Sequence, residues 1–318
     1  MSSVGHHGLG YSLLYPYQGF WFTDPVLESI KDFQQNLKAL DSDLILASQP
    51  KSGTTWMKAL AFAIANRTRY PIFSSSHPLL TTSPHDLVPF ADFKHFHKEH
   101  SLLDYTNTSS QDLPSRLIAT HLPYPLLPES VKDGATKCKI VYICRNPRDT
   151  FVSVWHFMNK IGDNKKSGTP LSIEDAFEYF CDGVSDFGPY WDHVLGYWKE
   201  SLASPHKVLF VKYEDLMNEP ETQVKKLAEF LGYGFSVEEE SRGVIKEIIS
   251  LCSFQHLKNL DANKQEQSGD NFLAHNKDFF RKGEVGDWKN YLTPTMVERL
   301  DSLTKEKLQG SGLAFRSE

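Results

Sequence analysis

Residues 43–48, DLILAS, are an almost unbroken apolar run, and TTWMKALAFAIAN (54–66) follows after only five more residues. Polar and apolar residues do not alternate in the first segment, so it is predicted to be a strand buried on both faces. The second segment is apolar almost all round, which predicts a helix packed on several sides. A fully buried strand followed by a buried helix leaves few architectures open. A parallel sheet with helices on both faces is the natural one.

The rest of the chain repeats the pattern. RLIATHLP (116–123), KIVYICRNP (139–147) and KVLFVKYEDL (207–216) read as further strands. Helices are predicted over 148–161, from a cap at Ser172 onward, over 191–203, over 220–232 and over about 294–309. Asp149 suits the dipole of a first helical turn, and Pro220 and Gly232 sit where proline opens and glycine closes a helix. Ser52 and Thr54 are suitable caps for the helix at 54, and Gly53 permits a tight turn before it. Residues 71–115 read as long loops with short helices, and 163–170 as a polar loop. Residues 261–287 read as a mobile loop and roughly 1–20 as a flexible N-terminus. No internal repeat or clear linker divides the chain, so one domain over 1–318 is expected.

Composition narrows the function classes. The formal net charge is −6, which argues against nucleic acid as the main partner. An anion site must then be built from local groups. The four cysteines (138, 144, 181 and 252) form no CxxC pair, so no zinc or thioredoxin-like site is expected, and their scatter suits a reducing cytosol. No apolar stretch approaches a membrane span and the N-terminus does not read as a secretory signal. The expected location is cytoplasmic.

Ligands in such folds bind outside the carboxyl ends of the strands. Lys51–Thr55, His121, Arg145–Arg148 and Tyr213–Asp215 all fall at predicted strand ends. In QPKSGTTW (49–56) a helix start offers outward N–H groups. Gly53 allows close approach, Ser52, Thr54 and Thr55 add hydroxyls, and Lys51 adds a charge. The combination reads as an anion-binding loop. Its lysine precedes the glycine, unlike the nucleotide-triphosphate loop GxxxxGK[ST].

PKSGTTW resembles the 5′-phosphosulfate loop of the cytosolic sulfotransferases, which move a sulfuryl group from 3′-phosphoadenosine 5′-phosphosulfate (PAPS) to an acceptor. CRNPRDTFVSVWHF (144–157) is similar to that family's 3′-phosphate segment, FVKYEDL (210–216) to its tyrosine strand, and FFRKGEVGDWKNYLT (279–293) to its RKG-containing loop. The wording of ATHLPY and RNPRD is similar to the plant soluble branch. The resemblance implies that Lys51 meets the oxygen bridging phosphate and sulfate, and that Ser52, Gly53, Thr54 and Thr55 hold the 5′-phosphate. It implies that Arg145, Ser153, Arg281, Lys282 and Gly283 hold the 3′-phosphate, and that Trp56, Tyr213 and Phe254 contact adenine. His121 becomes the general base, and Ser153 a restraint on Lys51. His156 and Phe157 are placed against the acceptor, with Phe90, Phe93 and Phe96 as further wall candidates. Taken alone, Trp56 and Phe254 read equally as core residues, the RKG run as a solvated charge cluster and His121 as structural. His85, His95, His97 and His100 read mostly as surface residues.

Three departures from the family pattern stand out. Ala119 occupies a position that is lysine in many animal members, and Cys252 one that is often threonine. Pro294 replaces the valine of a dimer motif that Lys289, Thr293 and Glu298 otherwise match, which puts a homodimer through 289–298 in question. The expected function is transfer of a sulfuryl group from PAPS to a hydroxyl of a flavonoid or other phenol, a brassinosteroid-like steroid or a hydroxyjasmonate, without a metal. A non-catalytic nucleotide or hydrophobic-ligand binder of the same fold, or a P-loop kinase, is the alternative.

Overall fold

A computed structural model describes residues 5–9, 12–93, 115–165, 170–264 and 274–316, with side chains omitted at 163–165. A short antiparallel hairpin opens the described chain, β1 (Tyr15–Tyr17) against β2 (Phe20–Phe22). Helix α1 (Asp24–Asn36) leads to β3 (Asp43–Ser48), and α2 (Thr54–Asn66) follows it. The short helix α3 (Pro84–Leu87) precedes β4 (Arg116–Thr120); α4 (Glu129–Lys132) precedes β5 (Lys139–Cys144). Then come α5 (Pro147–Lys165), α6 (Ile173–Cys181), α7 (Tyr190–Ala203) and β6 (Val208–Lys212). The chain continues through α8 (Tyr213–Asn218), α9 (Pro220–Leu231), α10 (Val237–Ser241) and α11 (Val244–Leu251). It closes with α12 (Phe254–Asn259), α13 (Asp261–Lys264) and α14 (Pro294–Leu308).

The main sheet is parallel in the order β4-β3-β5-β6. Every residue of β3 is buried, and its side chains divide between two cores. Ile45 and Ala47 join one, with Ile140, Tyr142 and Cys144 of β5; Leu44 and Leu46 join the other, with Val141 and Ile143. This is the period of two expected of a strand covered on both faces. Helix α2 packs on β3, α3, α9 and α11, and Met57 through Asn66 are all buried. Truncating Leu60, which is fully buried, to alanine is expected to cost about 2–5 kcal/mol.

The strand order positions the site. From β3 the chain crosses to β4 on one side, and from β5 it crosses to β6 on the other. The loops after β3 and β5 therefore diverge, and a crevice opens between their carboxyl ends. Lys51 lies on the first loop and Arg145 on the second.

Several boundaries differ from expectation, each for a local reason. Strand β4 stops at Thr120, because the Asp92 carboxylate takes the His121 N–H (2.7 Å). Strand β5 stops at Cys144, because Glu214 takes the Asn146 N–H (2.7 Å) and Pro147 starts α5. Strand β6 ends at Lys212, and Tyr213–Asn218 is helical with Glu214 and Asp215 in its first turn, where carboxylates are favoured. Helix α5 runs on to Lys165, so the polar loop expected at 163–170 begins later than its composition suggested. Ser52 and Thr54 do not cap α2: its N-cap is Gly53, with no side-chain cap. Within the first twenty residues, Leu9 and Leu14 are buried, and Leu9 bridges to Ser185, so this part is packed against the body. Pro294 is the first residue of α14, with Thr293 accepting the Met296 N–H (3.3 Å).

Candidate active site

The loop after β3 has unusual backbone geometry. Lys51 has φ 66° and Gly53 φ 109°. A Cβ on Gly53 would lie 2.8 Å from the Tyr213 ring, so only glycine lets the loop and Tyr213 sit this close. The Lys51 residue keeps some exposed surface, but its ammonium is enclosed, 3.9 Å from the Phe157 ring centre and 5.3 Å from that of Phe279. Burial, aided by the Arg281 and Arg145 charges, pushes its pKa down to about 7. An anion arriving at this ammonium would favour its charged form.

The second half of the phosphate end comes from β5, α5, α8 and the segment after residue 274. The Arg145 guanidinium lies 4.7 Å over the Tyr213 ring and 3.6 Å from Asp149, and donates to the Glu284 carbonyl. Tyr213 donates its hydroxyl proton to the Gly283 carbonyl (2.7 Å), and Gly283 lies so close to Phe254 that a Cβ would come within 2.5 Å of that ring. Arg281 and Lys282 both pair with the buried carboxylate of Asp287 (2.5 and 2.6 Å). Asp149 accepts the N–H groups of Gly286 (2.8 Å) and Trp288 (3.1 Å). The carboxylate expected to serve only its own helix thus ties the RKG segment to α5. Arg148 pairs instead with Asp301 of α14.

His121 sits at the end of β4, held through Nδ1, its backbone N–H and its carbonyl. Nδ1 lies 2.7 Å from the Ser48 carbonyl. A carbonyl can only accept, so Nδ1 carries the proton and Nε2 keeps its lone pair. The His121 carbonyl accepts from His193 Nε2 (2.8 Å), and His193 Nδ1 faces the Tyr142 hydroxyl (2.9 Å). Ser48 Oγ also meets Thr54 Oγ1 at 2.6 Å, which couples the anchor of His121 to the loop after β3. Burial lowers the His121 pKa to about 3, although its bond to Ser48 pulls the other way. The ring is therefore neutral near pH 7. Burial likewise raises the Asp92 carboxyl, to about 6, despite hydrogen bonds from Thr120 and His121.

These groups share one cavity of about 540 Å³. Lys51, Gly53, Thr54, Thr55, Trp56 and Arg145 line it, with Ser153, Phe157, Tyr213, Phe254, His121 and Arg281–Gly283. Phe90 and Phe93 line it as well. Two expected residues are not among its lining. Ser52 is buried beneath the loop, and the His156 ring packs against Trp155 (4.5 Å) and Tyr291 (4.7 Å). Phe96, His95, His97 and His100 lie outside the described residues. His85 is buried rather than on the surface.

Other lining residues escaped sequence reasoning. Thr23 just before α1, Val26 of α1, Met158 and Ile161 of α5, and Asp186 and Phe187 complete the wall beyond His121. Phe187 (φ 60°) lies 5.4 Å from the His121 ring. A non-glycine residue at positive φ is not visible in composition, although the Gly188–Pro189 pair after it is a turn signal.

Four buried donors without hydrogen-bond partners lie on the segments around Lys51 and Arg145: Ser52 Oγ, Trp56 Nε1, Arg145 Nε and Arg281 Nε. Unmet donors beside two arginines and a lysine suit a polyanion. Among the described residues, no group of three or more His, Cys, Asp or Glu side chains is arranged to hold a metal ion.

A parallel sheet with an anion loop at its switch point defines a mononucleotide-type α/β protein, and comparison makes the class specific. The sulfotransferase domain family matches residues 41–312, and the chain belongs to that family. It is a sulfotransferase enzyme of the plant cytosolic type. It is 48% identical over 305 residues to cytosolic sulfotransferase 15 of Arabidopsis thaliana, covering 95% of this chain and 82% of that one. The crystal structure of an Arabidopsis thaliana candidate steroid sulphotransferase superposes with a TM-score of 0.74 at 40% identity, over 99% of this chain and 93% of the other. A mouse sulfotransferase complexed with PAP superposes with a TM-score of 0.69 at 28% identity, covering 94% and 96%.

Proposed function

We propose that this chain, acting as one domain in the cytoplasm, transfers the sulfuryl group of PAPS to a hydroxyl of a small, largely apolar acceptor. The observation that carries this reading is the sharing of one cavity by neutral His121, with Nε2 free to accept a proton, and by the cations Lys51 and Arg145. Bound PAPS supplies the sulfuryl group, its sulfur–oxygen bond to the phosphate breaking as the acceptor oxygen bonds to sulfur.

The residues around it have separate tasks. His121 Nε2 takes the acceptor's hydroxyl proton. Lys51 stabilises charge building on the phosphate oxygen, and its enclosed position makes that charge effective. Ser153 restrains Lys51. The N–H groups of residues 53–55 and the Thr54 and Thr55 hydroxyls hold the 5′-phosphate. Arg145, Ser153 and Arg281–Gly283 hold the 3′-phosphate, and Arg145's planar fork suits it. Trp56, Tyr213 and Phe254 enclose the adenine. Phe157 and the wall from Phe90, Phe93 and Phe187 take the acceptor, which suits a flat phenol such as a flavonoid, a brassinosteroid-like steroid or a hydroxyjasmonate. Mouse enzyme complexed with PAP supports the donor assignment.

The test is a panel of these acceptors with PAPS, read by mass spectrometry for added sulfate. Sulfation of at least one class is expected. An inert protein that still binds adenosine 3′,5′-bisphosphate would favour a non-catalytic binder. Binding of ATP with magnesium in preference to PAPS would favour a kinase.

A further inference from the structure

Behind the anion loop lies a buried polar group that the reaction does not use directly. Lys58 is on α2, three residues beyond Thr55, and is fully buried among apolar side chains. Its Nζ lies 3.1 Å from His85 Nδ1 and 3.2 Å over the Phe90 ring. The other nitrogen of the same imidazole, Nε2, lies 2.9 Å from Thr55 Oγ1. The ring itself is clamped between Phe90 (5.6 Å, stacked) and Phe279 (4.1 Å). Thr55 and His85 line the cavity.

Donor and acceptor rules fix the direction of this chain. As an ammonium Lys58 has only donors, and His85 Nδ1 then accepts from it. The ring proton then resides on Nε2 and is donated to Thr55 Oγ1. With its lone pair occupied from behind, the Thr55 hydroxyl directs its own proton forward into the cavity. Polarisation along such a chain strengthens the last donor. Burying a lysine among apolar groups is costly. Burial pushes the Lys58 pKa well below its ordinary value, and the Asp92 and Asp86 charges work against that shift.

We infer that Lys58 and His85 are positioning residues that aim the Thr55 hydroxyl proton at the 5′-phosphate group of the nucleotide. The inference rests on the PAPS reading above. It explains why a cation sits beneath the loop, out of reach of the ligand, and why the His85 ring is held against Phe90 and Phe279.

The experiment is a double-mutant cycle with purified full-length protein, using adenosine 3′,5′-bisphosphate as the probe and calorimetry for Kd. Lys58→Met should weaken binding about tenfold when Thr55 is present. In a Thr55→Val background the same change should alter Kd less than twofold. Equal losses in both backgrounds would show a merely structural effect and overturn the proposal. Nitrogen-15 NMR of wild-type His85, assigned through His85→Gln, supplies a test independent of variant folding. The Nε2–H tautomer is expected, and the Nδ1–H tautomer, in which the ring donates to a neutral Lys58, overturns the proposal. Wild-type protein that fails to bind the bisphosphate at all would sink the PAPS reading itself, an outcome distinct from binding with equal losses in the cycle.

Discussion

Replacing His121 by asparagine tests both the chemistry and the burial of the base. Asparagine keeps a polar side chain of similar reach but cannot accept the acceptor's proton. Loss of a positioned general base costs about 10²–10⁴ in turnover, so kcat should fall at least about a hundredfold, while bisphosphate affinity should change less than about threefold. The same variant should also flatten the acid sensitivity of the fold. His121 titrates near 6.5 when unfolded and about 3 in the folded protein. As pH falls below 6.5 the unfolded chain gains a proton that the folded chain refuses, so this group's contribution to stability is full above 6.5 and lost toward pH 3. Between pH 7.5 and 5.0 the loss is about 2 kcal/mol at about 1.36 kcal/mol per pH unit. Asp92, raised to about 6, works the other way: the folded form protonates first and regains about 1.4 kcal/mol over the same range. Asp92 remains in the variant, so the difference between the two proteins isolates the histidine. Urea unfolding at pH 7.5 and 5.0 should show wild type losing about 2 kcal/mol more than the variant. Equal losses, or a variant retaining more than a tenth of wild-type kcat, would refute the assigned role or the neutral buried state.

Other outcomes follow from the same geometry. Lys51→Ala should lower turnover far more than it weakens bisphosphate binding; equal losses in rate assays and calorimetry would sink the leaving-group role. Because free Lys51 titrates near 7, raising pH deprotonates it, and kcat/KM should fall about tenfold per unit above pH 8 while kcat stays flatter. A kcat/KM constant to pH 9 would count against this. Gly283→Ala must hold φ 70° and push a methyl against Phe254, costing about 2–4 kcal/mol by denaturant melts and weakening the bisphosphate at least about tenfold; an undisturbed variant would contradict the close packing. Asp149→Ala should strip the acceptors from Gly286 and Trp288 and cost about 1–3 kcal/mol of stability, with faster hydrogen exchange over 281–288 as the readout.

Much of this was legible in the sequence. Continuous apolar runs marked β3 and most of β5, and Pro220 and Gly232 bracketed α9 because their backbone preferences are intrinsic. That Lys51, Gly53–Trp56 and Arg145 share one cavity was readable for a similar reason: they fall on short contiguous segments after strands. The support for His121 was not readable. Asp92, Ser48 and His193 reach it from three separate segments, and nothing in their own neighbourhoods signals a shared target. The same holds for Asp149, whose partners lie 137 and 139 residues away, and for Glu214, whose bond to Asn146 ends a strand that apolar pattern alone would continue. His156 shows the opposite failure. Its place beside Phe157 on α5 suggested a shared surface, but adjacent helical residues point about 100° apart, and only Phe157 faces the cavity.

The anchoring of His121 bears on how such enzymes diverge. Its ring, N–H and carbonyl are fastened by Ser48, Asp92 and His193, on the sheet, the loop after α3 and α7. The far wall is drawn from different stretches, including Thr23, Val26, Met158 and Asp186. Selection can therefore rewrite the wall in duplicated copies while leaving the mounting of His121 untouched. A lineage built on this plan can multiply acceptor preferences by drift in a few wall positions, and a laboratory library restricted to them should explore new acceptors without first having to rescue the chemistry.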